Sequence, residues 1–308
     1  MTAAATETIP LHPRRRLIGT ASGGSASIRR GGRSDVASSR PYRPGDHFRT
    51  IDWKASARLS AAQNRDEFIV RERHADEMPA VVIVVDRRPG MALYPSELPW
   101  LHKPDAVRAI VDILVASAIN QRSLVGYLDH RTWQPPRAQA TVWSQGIEEG
   151  IDDHLAETFD APEDGLDRAL EDLAMRRPSL PVGSFVFVVS DFLQPVPHER
   201  WAQSIARGWD VVPVIVQDPV WEQSFPAIDG VLVTVSDALG RHESRVRLAP
   251  REVDERRSAH ELRLATTQDD FIRLGLDSIL VGSSSPTEVH TRLLEWAHAR
   301  LDLLRGPR

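Results

Sequence analysis

Two aspartates each follow an apolar run in this sequence of 308 residues. Asp86 directly follows the run 80–85, and Asp191 ends a second run of the same kind. Carboxylates of this type are oxygen ligands for Mg²⁺ and can also act as general acids or bases. Arg87 and Arg88 come next after Asp86, and a guanidinium can neutralise a carboxylate through a forked ion pair. The pattern is therefore compatible with two alternatives, a metal-binding site and a metal-free site in which an arginine replaces the metal.

A second group of chemically capable side chains lies between residues 40 and 58. Asp46 and Asp52 are six residues apart with His47 between them, which permits an acid–base interpretation. The stretch 42–46 contains the Pro and Gly of a turn, and Trp53 is expected to be buried in a short amphipathic element. The favoured interpretation is an ion-pair network that locks this segment onto the main domain, with a partner-contact surface as the alternative. The basic residues available for that network are Arg40, Arg49, Lys54 and Arg58.

Signatures of common enzyme classes are missing from the sequence. A phosphate-binding Walker loop needs Gly-Lys, and neither Lys54 nor Lys103 follows a glycine. The sequence contains no Gly-x-Ser-x-Gly elbow and no His-Glu-x-x-His pair. The glycine-rich stretch 19–32 lacks the preceding strand that a dinucleotide-binding loop requires. These observations predict a protein that is not an enzyme.

Composition narrows the class of protein further. The chain has no cysteine, which excludes disulfides and thiolate metal sites and suits a reducing cytoplasm. No stretch approaches the roughly 20 apolar residues that a bilayer span needs, and no secretory signal is apparent.

Charge is unevenly distributed along the chain. Residues 1–60 contain 10 Arg and one Lys against four acids, whereas the whole chain has a net charge of −5. The basic segment could bind nucleic acid or an acidic surface, or pair with the acidic body of the same chain.

From residue 63 onward, apolar strand patterns alternate with amphipathic helix patterns. Strands are predicted at 63–71, 80–85, 124–128, 140–143, 184–191, 211–216, 231–235, 245–248 and 278–281. Helices are predicted at 105–121, 165–176, 198–207, 250–274 and 286–304. This alternation predicts an α/β domain with a mostly parallel sheet flanked by helices. Ligands of such sheets collect at the carboxyl ends of the strands, which directs attention to Asp86 and Asp191.

Three regions are predicted along the chain. Residues 1–38 are rich in Gly, Ser, Thr, Ala and Arg and are expected to form a flexible basic segment. Residues 39–79 are expected to pack on the main domain, which spans residues 80–308.

The segment 40–58 resembles the signature of the family known as domain of unknown function fifty-eight. The family pattern is Arg-x-Tyr-x-x-Gly-Asp-x-x-Arg-x-Ile-Asp-Trp-Lys-x-x-Ala-Arg. It is matched by Arg40, Tyr42, Gly45, Asp46, Arg49, Ile51, Asp52, Trp53, Lys54, Ala57 and Arg58. The resemblance implies a von Willebrand factor A-like (Rossmann-like) fold and a partnership with a MoxR-type ATPase of the AAA+ class. It also implies a role in the chaperone-like maturation or remodelling of an unknown client protein.

In von Willebrand factor A-like domains, an adhesion site binds Mg²⁺ through an Asp-x-Ser-x-Ser loop, a threonine and a further aspartate. The first loop here reads Asp86-Arg-Arg88-Pro-Gly90, so both serine positions are lost and a cation stands at one of them. The second loop aligns near residues 164–167 and contains no threonine. Asp86 and Asp191 remain. The resemblance therefore implies a degenerate adhesion site without a cofactor.

The leading hypothesis is a cytoplasmic, non-enzymatic adaptor that binds the ATPase or a client at the strand ends near Asp86, Arg88, Gly90 and Asp191. A metal-dependent hydrolase using Asp86, Asp191 and Asp46 is the alternative from a different class. Nucleic-acid binding by the basic segment is a third, although no aromatic residue before Tyr42 offers a stacking platform.

Overall fold

The computed structural model describes part of the chain, which forms two compact units. The described residues are 7–14, 36–42, 51–63, 68–73, 80–92, 101–121, 123–131, 133–134, 158–176, 180, 182–228, 230–237 and 242–305. The smaller unit spans residues 15–77, and the larger unit comprises residues 1–14 and 78–308.

The smaller unit contains an antiparallel strand pair and one helix. Its elements are β1 (Val36–Pro41), α1 (Trp53–Gln63) and β2 (Ile69–Arg73). Asp52 begins the helix, since its Oδ1 accepts hydrogen bonds from the backbone N–H groups of Lys54 and Ala55 at 3.2 and 3.1 Å. This is the geometry of a helix N-cap. The sequence predicted the second strand only, because β1 has a Ser-rich sequence that indicates a loop.

The larger unit is built on a six-stranded sheet with helices on both faces. Its strands are β3 (Val81–Val85), β4 (Val125–Leu128), β5 (Trp133–Gln134), β6 (Phe185–Ser190), β7 (Asp210–Val216) and β10 (Ile279–Val281). Its helices are α2 (Lys103–Asn120), α3 (Gly165–Arg176), α4 (His198–Ala206), α5 (Pro250–Arg273) and α6 (Pro286–Arg305). The antiparallel pair β8 (Leu232–Ser236) and β9 (Glu243–Arg247) forms a separate small sheet. The predicted fold class, a mostly parallel sheet flanked by helices, is confirmed.

The strand order explains where a site can form. Across the sheet the order is β10-β7-β6-β3-β4-β5, and only β5 runs antiparallel to its neighbour. Counted along the chain within this sheet, this is the doubly wound order 3-2-1-4-5-6. The direction of winding reverses between β3 and β6, which places a crevice at their carboxyl ends. The short strand predicted at 140–143 lies outside the described residues.

The core has two layers because successive side chains of each strand point to opposite faces of the sheet. Val81, Ile83 and Val85 of β3 pack on one side with α2 and α6, whereas Val82 and Val84 pack on the other with α3. Strands buried on both faces carry continuous β-branched runs, which is why the sequence predicted them well.

Residues 7–14 differ from the flexible segment predicted for 1–38. Ile9 and Leu11 are buried in the core layer that contains α2, and the backbone N–H of Ile9 donates to Oγ of Ser117 at 2.9 Å. Further along, the backbone N–H of Arg14 donates to Asp210 at 2.9 Å. The start of the chain is thus part of the larger unit. Among the described helices, none is long and apolar enough to cross a bilayer.

Candidate functional site

The candidate site lies at the carboxyl ends of β3 and β6, where the winding reverses. These strands are parallel neighbours, with Val85 opposite Val189. Asp86 and Asp191 each follow their strand by one residue, and the backbone N–H of Asp86 donates to the carbonyl of Val189 at 2.9 Å. The structure therefore places the two aspartates singled out in the sequence at the same edge of the sheet.

A guanidinium two residues further along the chain binds Asp86. Arg88 donates from Nε and Nη2 to Oδ2 of Asp86 at 2.9 and 2.6 Å, and its Nη1 donates to Gln194 at 2.7 Å. Asp86 is 1% exposed and Arg88 is 5% exposed. Burial lowers the pKa of Arg88, but the hydrogen bond and charge of Asp86 outweigh it and raise that pKa above its usual value. Arg88 forms the forked pair that the sequence offered as an alternative to metal.

Arg87, the other arginine considered for this pairing, has different neighbours. Its Nη2 donates to the carbonyl of Thr158 at 3.1 Å, and its Nη1 lies 3.8 Å from Oδ2 of Asp129. The guanidinium carbon lies 4.9 Å from the ring centroid of Phe159, a cation–π contact. Arg87 thus joins the loop after β3 to the loop before α3.

The turn after β6 connects the two aspartates through Ser190. The hydroxyl of Ser190 donates to Oδ2 of Asp86 at 2.6 Å and accepts from the backbone N–H of Phe192 at 3.0 Å. Phe192 has φ of 50°, in the left-handed region, which costs a non-glycine residue free energy. Its ring packs against Trp201 and Phe271, with centroid distances of 5.9 and 5.2 Å. This packing holds the strained turn in place.

Asp191 is paired with a lysine that the sequence analysis did not assign to the site. Nζ of Lys103, the first residue of α2, donates to Asp191 at 2.9 Å, to Glu222 at 2.5 Å and to the carbonyl of Gly90 at 3.1 Å. Burial lowers the pKa of Lys103, but the charges of Asp191 and Glu222 outweigh it and raise that pKa above its usual value. Burial also raises the pKa of Glu222, and the attraction of Lys103 only partly offsets this.

The loop after β7 holds Glu222 towards the lysine. Oε2 of Glu222 accepts from the backbone N–H of Asp218 at 2.8 Å, and Oδ1 of Asp218 accepts from the N–H groups of Val220 and Trp221, both at 2.8 Å. Nε2 of Gln217 donates to the carbonyl of Asp191 at 2.6 Å, which joins this loop to the turn after β6.

These side chains do not fit the magnesium site of von Willebrand factor A-like adhesion domains. Mg²⁺ needs near-octahedral oxygen ligands at about 2.0–2.1 Å. Here the lone pairs of Asp86 face Arg88, and those of Asp191 face Lys103. Within the described ranges, no group of three or more His, Asp or Glu side chains is arranged to hold a metal ion. The carboxylates at this edge serve as acceptors for cations of the chain itself.

The signature segment is only partly described. Gly45, Asp46 and Arg49 lie outside the described residues. Arg40 is on β1 opposite Val70, Tyr42 packs edge-on against Phe68 at 6.4 Å, and Lys54 and Arg58 are exposed on α1. Asp52 caps α1 through its Oδ1. The expectation that Trp53 is buried is wrong, because its side chain is 61% exposed and contacts Phe68 edge-on at 5.9 Å.

Comparisons with known proteins identify the family. The sequence pattern of the family described as "Protein of unknown function DUF58" matches residues 38–265. The chain belongs to this family. A search of curated proteins gives no match for this DUF58 protein.

Three solved structures resemble this DUF58 chain at low identity. The conserved hypothetical protein BatB from Bacteroides thetaiotaomicron is 14% identical and has a TM-score of 0.43, over 71% of this chain and 99% of its own. An aerotolerance-related membrane protein from Bacteroides fragilis is 16% identical with a TM-score of 0.42, over 70% and 99% of the two chains. An uncharacterized membrane spanning protein from Vibrio fischeri is 12% identical with a TM-score of 0.19, over 71% and 96%.

Proposed function

We propose that this DUF58 protein is a non-enzymatic adaptor with a von Willebrand factor A-like domain that works with a MoxR-type AAA+ ATPase. One observation carries the proposal: both aspartates at the switch point are buried in ion pairs with Arg88 and Lys103. A carboxylate held in this way is not available as a general base or nucleophile, because its lone pairs already accept hydrogen bonds. A hydrolase that used Asp86 and Asp191 would first have to break these pairs.

The ion-paired residues organise the docking surface, and their neighbours form it. Asp86, Arg88 and Asp191 are buried, so a partner protein does not reach their side chains directly. The backbone N–H of Ala161 donates to the carbonyl of Arg87 at 3.0 Å, which brings the loop before α3 to the same edge. This edge is thus a degenerate adhesion site, in which buried ion pairs instead of a metal ion hold the surrounding loops in place.

The exposed part of that rim is acidic. Among the described residues it comprises Pro162, Glu163, Asp164 and Pro195. Glu163 is near enough to contribute to the electrostatics of Arg88, and its Oε1 accepts from Nε2 of Gln194 at 3.5 Å. A rim of this charge complements a basic patch on the partner. The ATPase as the partner is inferred from the family resemblance, and the cytoplasm as the location from the cysteine-free composition.

Co-elution of the purified chain with the MoxR-type ATPase of the same host tests the proposal. Glu163→Arg reverses a charge on the rim, and we expect it to weaken the complex about tenfold or more. Arg207→Glu is the matched control, since Arg207 is exposed and precedes β7 at the opposite edge of the sheet. Equal binding by wild type and both variants overturns the assignment of the rim. Failure of the wild-type chain to bind removes the ATPase as partner.

A further inference from the structure

Three loops meet at a single nitrogen atom. Nζ of Lys103 is within hydrogen-bond distance of oxygens from Gly90 after β3, Asp191 after β6 and Glu222 after β7. Lys103 is 1% exposed, and both carboxylates are buried. The lysine enters from α2, so its ammonium joins four elements at one point.

Two buried carboxylates that share a site repel one another and lose the hydration of their charges. A positive charge between them removes both penalties. In a metalloprotein a divalent cation with oxygen ligands from several loops supplies this charge. In this chain oxygens from three loops accept N–H groups from a lysine.

We propose that Lys103 is a built-in cation, whose ammonium group occupies the position of a metal ion and cross-links the loops after β3, β6 and β7. The chain therefore holds the carboxyl edge of its sheet together without metal. Arg88 neutralises Asp86 in the same way on the neighbouring side.

A lysine suits position 103 better than an arginine would. The chain uses only two lysines, Lys54 and Lys103, among 38 basic residues, and elsewhere its cations are arginines. An ammonium group is compact and has three donors that point in different directions, whereas a guanidinium is planar and suits a forked pair with one carboxylate. Among the described residues, acceptors from three loops surround Lys103 and suit the first geometry, and the pair of Asp86 with Arg88 suits the second.

Thermal unfolding of the purified chain tests this inference through Lys103→Ala. The variant leaves Asp191 and Glu222 without their shared cation, and we expect the Tm to fall by roughly 6–15 °C. We expect n-propylammonium chloride to restore part of the loss, because it supplies an ammonium and the missing alkyl stem. The same concentration of 1-propanol, which lacks the charge, restores much less. Lys54→Ala, at an exposed position, is the control and leaves the Tm unchanged.

Two outcomes would overturn the inference. One is equal rescue by n-propylammonium and 1-propanol, which would mean that only the volume of the stem matters. The other is a clear rise in the Tm of the wild-type chain with millimolar CaCl₂ or MgCl₂. This rise would mean that the folded chain binds a metal ion even though Lys103 is present.

A second variant covers the case in which Lys103→Ala fails to fold. Lys103→Met keeps the length of the stem but removes the charge, and a triple variant adds Asp191→Asn and Glu222→Gln to neutralise the site. We expect the triple variant to have a higher Tm than Lys103→Met, because no unpaired charge remains buried. A triple variant that is no more stable than Lys103→Met overturns the role of Lys103 as a counter-charge.

Discussion

Arg300 donates two parallel hydrogen bonds to Asp210, from Nη1 to Oδ2 at 2.6 Å and from Nη2 to Oδ1 at 2.9 Å. Its Nε donates to Asp277 at 2.9 Å, and its guanidinium carbon lies 4.4 Å from the ring centroid of Trp296. Arg300 is on α6, and Asp210 is the first residue of β7. This buried pair fastens the last helix to the amino-terminal edge of the sheet, opposite the candidate site.

Loss of the Arg300 guanidinium is expected to destabilise the larger unit strongly. Arg300→Met leaves Asp210 buried without its main cation, which costs about 3–5 kcal/mol of the free energy of unfolding. Arg292→Met is the control on the same helix, since its pair with Glu295 is exposed and contributes at most about 1 kcal/mol. Urea unfolding followed by circular dichroism measures both. Similar losses for the two variants would contradict the importance of the buried pair.

Two buried serines at the ends of β6 give a matched test of the turn at the site. Ser190→Ala removes a donor to Asp86 and an acceptor for the N–H of Phe192, so we expect a loss of about 1–3 kcal/mol. Ser184 is equally buried, but its Oγ has no hydrogen-bond partner within the described part of the chain. Ser184→Ala should therefore leave the free energy of unfolding nearly unchanged. Equal losses in the free energy of unfolding for the two variants would mean that the hydrogen bonds of Ser190 contribute nothing and that only the lost side-chain volume matters.

His260 is expected to make stability depend on pH. Burial lowers the pKa of His260 below its usual 6.5, and the nearby charges of Arg263 and Arg256 lower it further. In the neutral ring, Nδ1 lies 3.0 Å from the carbonyl of Trp221 and 2.8 Å from that of Ser224, where it can donate. The folded state thus binds protons less readily than the unfolded state. This contribution to stability is complete above pH 6.5 and is lost as the pH falls towards the lower pKa of the folded state.

His260→Gln checks the pH dependence, because glutamine keeps a donor without titrating. We expect the fall in Tm of the wild-type chain between about pH 7 and pH 5 to be reduced in the variant. His242→Gln, at an exposed position directly before β9, is the control and keeps the wild-type slope. An unchanged slope in His260→Gln would assign the acid sensitivity to carboxylates instead.

Trp53 is expected to contribute to binding rather than to stability. Large exposed aromatic side chains dominate many protein interfaces, and Trp53 forms an exposed edge-to-face pair with Phe68. We expect Trp53→Ser to change the Tm little and to weaken the complex with the ATPase about tenfold or more. Leu262→Ser, an exposed apolar position on α5, is the control. Wild-type affinity in Trp53→Ser would leave the signature with a structural role only.

The sheet was predictable because its strands are buried on both faces and carry unbroken β-branched runs. The long charged helix predicted at 250–274 matches Pro250–Arg273. The strand Val36–Pro41 was missed because its Ser and Pro residues have little intrinsic strand preference. It is a strand through pairing with Ile69–Arg73, and such pairing is a tertiary effect.

The candidate site was predictable only in part. Asp86 and Asp191 could be found from their positions after two apolar runs, and Arg88 from its place beside Asp86. Lys103 and Glu222 are 119 residues apart, and no local pattern connects them. The rarity of lysine in an arginine-rich chain was the available signal for Lys103. Glu222 had no such signal, since acidic residues are common throughout.

The distances along the chain between these partners have a kinetic consequence. Asp86 and Ser190 are separated by 104 residues, and Lys103 and Glu222 by 119. During synthesis Lys103 leaves the ribosome well before Asp191 and Glu222, so its three-way contact cannot be completed until the loop after β7 has emerged. The network therefore closes late in folding. Interactions that form after the transition state slow unfolding more than they speed folding, so we expect these buried charges to set the lifetime of the folded protein.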